Sequence, residues 1–464
     1  MRYAVIGAGL AGLVSAYEIH RLAPDAEVEV FEAADRIGGK LFTVPFDGGP
    51  VDVGAEAFIR LRKDALEFFD ELGLSGAIVA PSGLSSRIYS GGEQHPMPRG
   101  GAMGVPGSSE GLGGLVSEET KARIDAEGDQ EGIDWHVGQD ASIGRLVRDR
   151  YGDDVVDHIL DSLLGGVYSS SADHLGVRAT VPKLAEAFDA LVEAGDKVTL
   201  SGAVARLAVG GAGAGAGAGK KRPPLFGAFA GGYSELYEAL AERSGAKVFV
   251  DAFVAGVKRS GGAFQLQGAG EGNYDGVVLA VPAPSAGMLV RELAPELSAA
   301  CRRIQLASSA VVAMKFDSDA GLPEQSGVLI ASDEPGVHAK AFTLASKKWP
   351  HLAERGGAVV RASFGRFGDD LALRASEDDL VDWALDDLQK ITGFDGRAAG
   401  LSEIYVQRWL GGIPCYDEHH LDNVAAIRSA AETVSGLQLT GAWAGGVGVP
   451  AVIADARAAA ARLV

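Results

Sequence analysis

Residues 2–32 read RYAVIGAGLAGLVSAYEIHRLAPDAEVEVFE, and this stretch decides the fold. Tyr3-Ala4-Val5-Ile6 is a short apolar run, Leu10 to Leu22 carries apolar residues at helical spacing, and Val28 to Glu32 alternates like a strand. Between the first strand and the helix stands Gly7-Ala8-Gly9-Leu10-Ala11-Gly12, a G-x-G-x-x-G turn. In a chain with 65 glycines that pattern alone says little. Its setting says more: a strand precedes it, a helix follows, and Glu32 ends the next strand at the spacing of a dinucleotide-binding unit. The first glycine permits the tight turn, the second lets a pyrophosphate approach backbone, and the third lets helix and strand pack closely. The helix start offers free N–H groups to phosphate. Glu32 is placed to accept hydrogen bonds from an adenosine ribose, and its charge disfavours a 2′-phosphate.

The rest of the chain narrows the class. At 464 residues and 47% apolar, it is too long for one core and too apolar for disorder, so two or three domains are expected. Acidic residues outnumber basic ones 62 to 42, giving a net charge of −20 that repels nucleic-acid phosphates and anionic lipid. Nucleic acid is therefore excluded as a general partner. Two cysteines, Cys301 and Cys415, make no disulfide framework and no zinc cluster; they read as packed thiols in a reducing cytoplasm. The histidines show no metal-ligand spacing, and adjacent His419 and His420 do not face one ion, so no metal is expected. The apolar run Tyr3 to Tyr17 is too short to span a bilayer. A soluble protein with at most peripheral membrane contact is expected.

Along the chain, residues 102–132 read as loops and short helices, and 142–192 as helices. The tract GGAGAGAGAGKKRPP, residues 210–224, reads as a surface loop, because alternating Gly and Ala build no core. Strand signals return at 247–250, 254–259, 264–267 and 276–281, then at 310–316 and 359–365. A strand at Leu437–Thr440, a glycine-rich turn and a helix from Pro450 to Leu463 repeat the opening βα theme. Recurrence at both ends implies a nucleotide-binding domain assembled from separated segments. Asp161 and the other acids of the helical stretch read as solvated faces.

A second glycine pair, Arg36-Ile37-Gly38-Gly39, then Gly54-Ala55-Glu56-Ala57-Phe58 and the closing Gly441-Ala442-Trp443-Ala444-Gly445-Gly446-Val447-Gly448-Val449-Pro450, sharpen the reading. Together they resemble the flavin amine oxidase superfamily. His95-Pro96-Met97-Pro98-Arg99-Gly100, Lys347-Lys348-Trp349-Pro350-His351 and Gln407-Arg408-Trp409 through Ile413-Pro414-Cys415-Tyr416 narrow the resemblance to its oxygen-dependent protoporphyrinogen and coproporphyrinogen oxidases. Within these, the chain is most similar to the Gram-positive coproporphyrinogen III oxidases.

The resemblance implies an α/β (mixed α+β) fold: a Rossmann-like FAD domain in separated segments, a sheet-containing substrate domain and a helical insertion. The FAD domain would take residues 1–75, 226–284 and 411–464, the substrate domain 76–105 and 285–410, and the helical domain 106–208, with a flexible Gly/Ala loop at 209–225. It implies FAD contacts at Gly7, Ala8, Gly9, Leu10, Ala11, Gly12, Glu32, Ala33, Gly39, Lys40, Gly54, Ala55, Glu56, Ala57, Val254, Trp409, Val447, Gly448 and Val449. No catalytic side chain is implied, since the flavin carries the chemistry. Arg87 matches a propionate-binding position, and Arg60 and Lys63 are further candidates for substrate carboxylates. The implied reaction takes six electrons from coproporphyrinogen III in three rounds, with oxygen as acceptor and hydrogen peroxide released. Protoporphyrinogen IX oxidation, or another flavin oxidase activity, is the alternative. The expected partners are the porphyrinogen and oxygen, with transient contact to a ferrochelatase, in a monomer or homodimer. Two departures stand out. Ser169-Ser170-Ser171 replaces the usual Ala-Gly-Asp after Gly165-Gly166-Val167-Tyr168, and His419 replaces the usual Gly before His420.

Overall fold

Five short strands lie parallel in the order Lys247–Phe249, Glu27–Phe31, Arg2–Ile6, Gly276–Leu279, Leu437–Leu439 in the computed structural model, which describes residues 1–212 and 224–464. Both faces of the central strand are covered. Tyr3 and Val5 join the core under the helices Leu10–Leu22 and Val449–Leu463, while Ala4 and Ile6 pack into the core on the opposite side. Burial on two faces explains why Tyr3 to Ile6 is a continuous apolar run rather than an alternating one. The sheet collects its strands from the first, middle and last thirds of the chain, so the sequence ends meet in one element.

A second sheet has seven strands in the order Leu401–Pro414, Leu306–Phe316, Ala358–Phe364, Ala341–Thr343, Gly327–Ile330, Arg87–Ser90, Glu93–Pro96. Its strands do alternate. Ala358, Val360, Ala362 and Phe364 pack under the helix Glu377–Thr392, whereas Val359, Arg361 and Ser363 point the other way. Val359 meets Val44, Phe46, Val51 and Val53, which fixes that second face over the chain just before Gly54. A Ser376/Asp379 capping box starts the covering helix, and Gly393 ends it at φ 77°.

The third part is helical and surrounds a core that includes Trp135, Tyr151, Ile159, Leu164 and Phe188. Two of its acids correct the expectation of solvated faces. Glu127 is fully buried and accepts hydrogen bonds from the Leu200 and Ser201 amides, capping the helix Leu200–Ala212. Asp161 is buried and accepts from the Ala172 amide at 2.6 Å. Helical spacing identified an outward face in each case, and another segment of chain covers it. That helix also carries the chain through residues 209–212, where a loop was expected. The remainder of the Gly/Ala tract, with Lys220-Lys221-Arg222, lies outside the described residues. Among the described residues, no helix is long and apolar enough to cross a membrane.

Candidate functional site: a backbone cradle at the carboxyl edge of the parallel sheet

Three glycine turns converge beyond the strand Arg2–Ile6. Gly7 has φ +101°, and a Cβ there would lie 2.7 Å from the Ala280 carbonyl oxygen. A Cβ on Gly12 would lie 1.8 Å from the Gly7 carbonyl oxygen. These two glycines are required by packing. The second turn abuts the first: Gly38 N–H donates to the Ala8 carbonyl at 2.9 Å, and a Gly39 Cβ would come within 2.9 Å of Gly9 Cα. The third joins through Ala55 N–H, which donates to the Lys40 carbonyl, and a Cβ on Gly54 would lie 2.1 Å from that same oxygen.

Two glycines have no such internal reason. At Gly9 an added Cβ would meet nothing closer than Gly39 Cα at 3.7 Å, and at Gly448 nothing closer than Pro450 Cδ at 3.9 Å. Each precedes a helix, Leu10–Leu22 or Val449–Leu463, and neither helix has a side-chain cap. Ser, Thr, Asn or Asp is the ordinary choice there. Glycine instead leaves uncapped N–H groups facing open space, which suits an anionic group approaching backbone. The two helices share one core, so their N-termini are held as a pair. The cradle therefore fits a dinucleotide.

Glu32 stands beside it. Its carboxylate accepts from Ala8 N–H at 2.8 Å and Ala34 N–H at 3.0 Å, one bond per oxygen. Each oxygen keeps a free lone pair for a ribose hydroxyl. The Glu32 carbonyl accepts from Ala252 N–H, which brings Val254, two residues on, to the same corner. Ala33 is exposed at this rim. Lys40 lines the cleft: its side chain reaches solvent while protein surrounds it, and that desolvation lowers its pKa against the pull of Glu32. Trp409 donates its indole N–H to the Val53 carbonyl at 3.0 Å, and Val447 packs against the helical core. The predicted cofactor residues thus come together from both chain ends.

The side-chain partners of Glu56 and Arg36, beside the cradle, were not legible in the sequence. Glu56 accepts from Trp349 Nε1 at 2.6 Å and Lys348 Nζ at 3.1 Å, and it pairs with Arg361 at 3.5 Å. Burial pushes its pKa up, but the charges of Lys348 and Arg361 outweigh that and leave it below the usual value. Its side chain is consumed internally, so only the backbone of Gly54 to Ala57 is free to face a ligand. Arg36 stacks over Phe42 at 3.7 Å and donates to the Gly39 carbonyl, bracing the second turn. Only the Lys347-Lys348-Trp349 motif hinted at the Glu56 cluster.

The candidate carboxylate binders do not gather. Lys63 begins the surface helix Lys63–Glu71, and Arg60 is partly buried with its stem against Gly227. Arg87 is exposed and stands in register with Val328, on the sheet face packed by Glu377–Thr392. The opposite face carries Arg361, which donates to the Gly54 carbonyl at 2.8 Å. Arg87 and the cradle are on different sides of the sheet.

A dinucleotide cradle of three glycine turns closed by a C-terminal helix, beside a large mixed sheet, defines a flavin-dependent oxidoreductase fold. The family model of flavin-containing amine oxidoreductases matches residues 10–464, and the chain belongs to that family, with FAD as its cofactor. It is 41% identical over 456 residues to a coproporphyrinogen III oxidase of Mycobacterium tuberculosis, covering 98% of this chain and 95% of the relative. It is 28% identical over 475 residues to the coproporphyrinogen III oxidase of Bacillus subtilis, with 98% and 96% coverage. Among solved structures, one from Exiguobacterium, provisionally named a protoporphyrinogen oxidase, superposes with a TM-score of 0.85 at 26% identity over 99% of this chain and 98% of that one. Cyclohexylamine oxidase from Brevibacterium oxydans shares the fold, with a TM-score of 0.68 at 15% identity, covering 100% and 98%.

Proposed function

We propose that this chain oxidises coproporphyrinogen III to coproporphyrin III, with oxygen as the acceptor. Each round removes two electrons and two protons from the tetrapyrrole and reduces one oxygen to hydrogen peroxide; three rounds complete the porphyrin. The similarity to the mycobacterial coproporphyrinogen III oxidase carries this reading, because it runs through the cradle, the mixed sheet and the helical part alike. Bound FAD supplies the two-electron chemistry. The chain binds and orients. Backbone N–H groups of Gly9 to Gly12, at the uncapped helix start, would meet the pyrophosphate, and Glu32, held by Ala8 and Ala34, would meet the ribose. The uncapped start of Val449–Leu463 presents a partial positive charge that favours negative charge on the reduced ring. No side-chain base is invoked: pyrrole N–H protons leave to solvent, and the barrier is met by orientation. The same reading has the product passing to a ferrochelatase in the cytoplasm, from a monomer or homodimer.

Steady-state oxidation of both porphyrinogens, followed by porphyrin fluorescence and peroxide yield, tests the proposal. Coproporphyrinogen III, with four propionates to the two of protoporphyrinogen IX, is expected to be preferred roughly tenfold or more in kcat/KM. Equal use of the two, or preference for the dicarboxylate, would defeat it.

A further inference from the structure

The replacement triplet Ser169-Ser170-Ser171 lies beside two cations that no carboxylate of the described residues neutralises by contact. Lys340 is 4% exposed; its Nζ donates to Ser169 Oγ at 2.6 Å and to the Gly365 carbonyl at 2.8 Å. Arg366 follows at once. Its Nε is buried without a hydrogen-bond partner, and its guanidinium makes no ion pair within the described residues. Burial lowers its pKa, and Asp161 and Asp369 draw it back only from a distance. Burial and the charge of Arg366 together push Lys340 down to about 7. A buried ammonium beside a half-buried guanidinium whose Nε has no partner is costly unless an anion joins them.

The chain beside them reaches solvent. The helix Asp161–Tyr168 ends with Gly166 exposed and Val167 43% exposed, and a Cβ on Gly166 would be in ordinary contact with Leu329 Cδ2 at 3.8 Å. A Cβ on Gly165 would be in ordinary contact with Arg366 Nε at 3.6 Å, so the guanidinium packs beside the end of this helix. Arg361, on the strand Ala358–Phe364, touches Gly54 of the cradle. That strand ends at Phe364, roughly 10 Å further along at ~3.3 Å per residue, and Arg366 follows the turn at Gly365, φ 82°. Ser171 contributes no charge to the turn; its hydroxyl is bonded to His174 Nδ1.

We propose that Arg366 binds a propionate carboxylate of the substrate, and that Lys340 is a positioning residue that ties the Ser169 turn to Gly365 beside it. The proposal rests on the porphyrinogen reading above. A planar guanidinium takes a carboxylate through two parallel bonds, which a lone ammonium cannot.

The test is fluorescence titration of the holoenzyme with coproporphyrin III and with its uncharged tetramethyl ester, in the same detergent. Arg366→Gln is expected to weaken binding of the free acid roughly tenfold or more and leave the ester unchanged. Its KM for coproporphyrinogen III rises while kcat is kept, and flavin absorbance and melting temperature match wild type. Arg366→Lys, which keeps the charge but not the two parallel bonds, retains only part of the affinity. Unchanged binding of the acid, or an equal loss for acid and ester, would overturn the proposal. So would restoration of binding by adding Asp161→Asn, which would assign Arg366 to neutralising that acid. If wild type oxidises coproporphyrinogen but Arg366→Gln binds the acid as tightly, only this inference falls. If wild type neither binds the acid nor oxidises its porphyrinogen, the functional reading fails and takes this one with it.

Discussion

Replacing Glu32 by alanine removes the one side chain that links the glycine turn to the ribose position. In the wild type its oxygens are already fixed by Ala8 N–H at 2.8 Å and Ala34 N–H at 3.0 Å, so they face a ribose without further ordering. A hydrogen bond to a charged acceptor contributes ~1.5–3 kcal/mol. Glu32 is partly exposed, so the lower figure applies to each of two ribose bonds, ~3 kcal/mol in all. That corresponds to roughly a hundredfold increase in the Kd for FAD. Glu32→Gln keeps one oxygen acceptor and should lose only about tenfold. Titration of apoprotein with FAD, followed by quenching of flavin fluorescence, measures both, and circular dichroism checks the fold. A Glu32→Ala protein that binds FAD within about threefold of wild type would refute the reasoning, because the carboxylate would then serve only the protein backbone.

Two further perturbations separate packing from binding. Gly12→Ala places a methyl 1.8 Å from the Gly7 carbonyl oxygen, so it should cost at least ~3 kcal/mol of stability and be seen as a fall in melting temperature of the apoprotein. Gly9→Ser, at φ −74°, should leave that melting temperature unchanged or slightly raised, since serine is a good N-cap, yet weaken FAD binding by filling the open space. Asp52 gives a pH prediction. Burial raises its pKa from 3.8 to about 6, against hydrogen bonds from Thr43 and Tyr233. The folded state therefore holds a proton that the unfolded chain releases, and stability falls as pH rises from about 4 to about 6, then stays level. Asp52→Asn should gain up to ~3 kcal/mol over wild type at pH 8 relative to their difference at pH 4. Denaturant melts of the holoprotein across that range check it, and a difference independent of pH would count against a buried, reluctant carboxylate.

The sequence by itself determined the elements whose cause is local. The helices Leu10–Leu22 and Val449–Leu463 and the turns before them were legible because glycine conformation, capping and hydrophobic period act over a few residues. The place of Glu32 beside the glycine turn was legible too, since a βαβ unit fixes its spacing. What only the tertiary structure decided lies between distant segments. Glu56 meets Lys348, Trp349 and Arg361 about three hundred residues away, and Asp161 and Glu127 turn out to be capping groups in the interior. Arg87 followed a motif, yet sheet register put it on the face away from the cradle. The two-residue period of a strand tells which residues share a face, but not which element covers that face. That choice is made by packing across the whole chain, where a polar group taken from water finds its partner or, like the Nε of Arg366, is left without one.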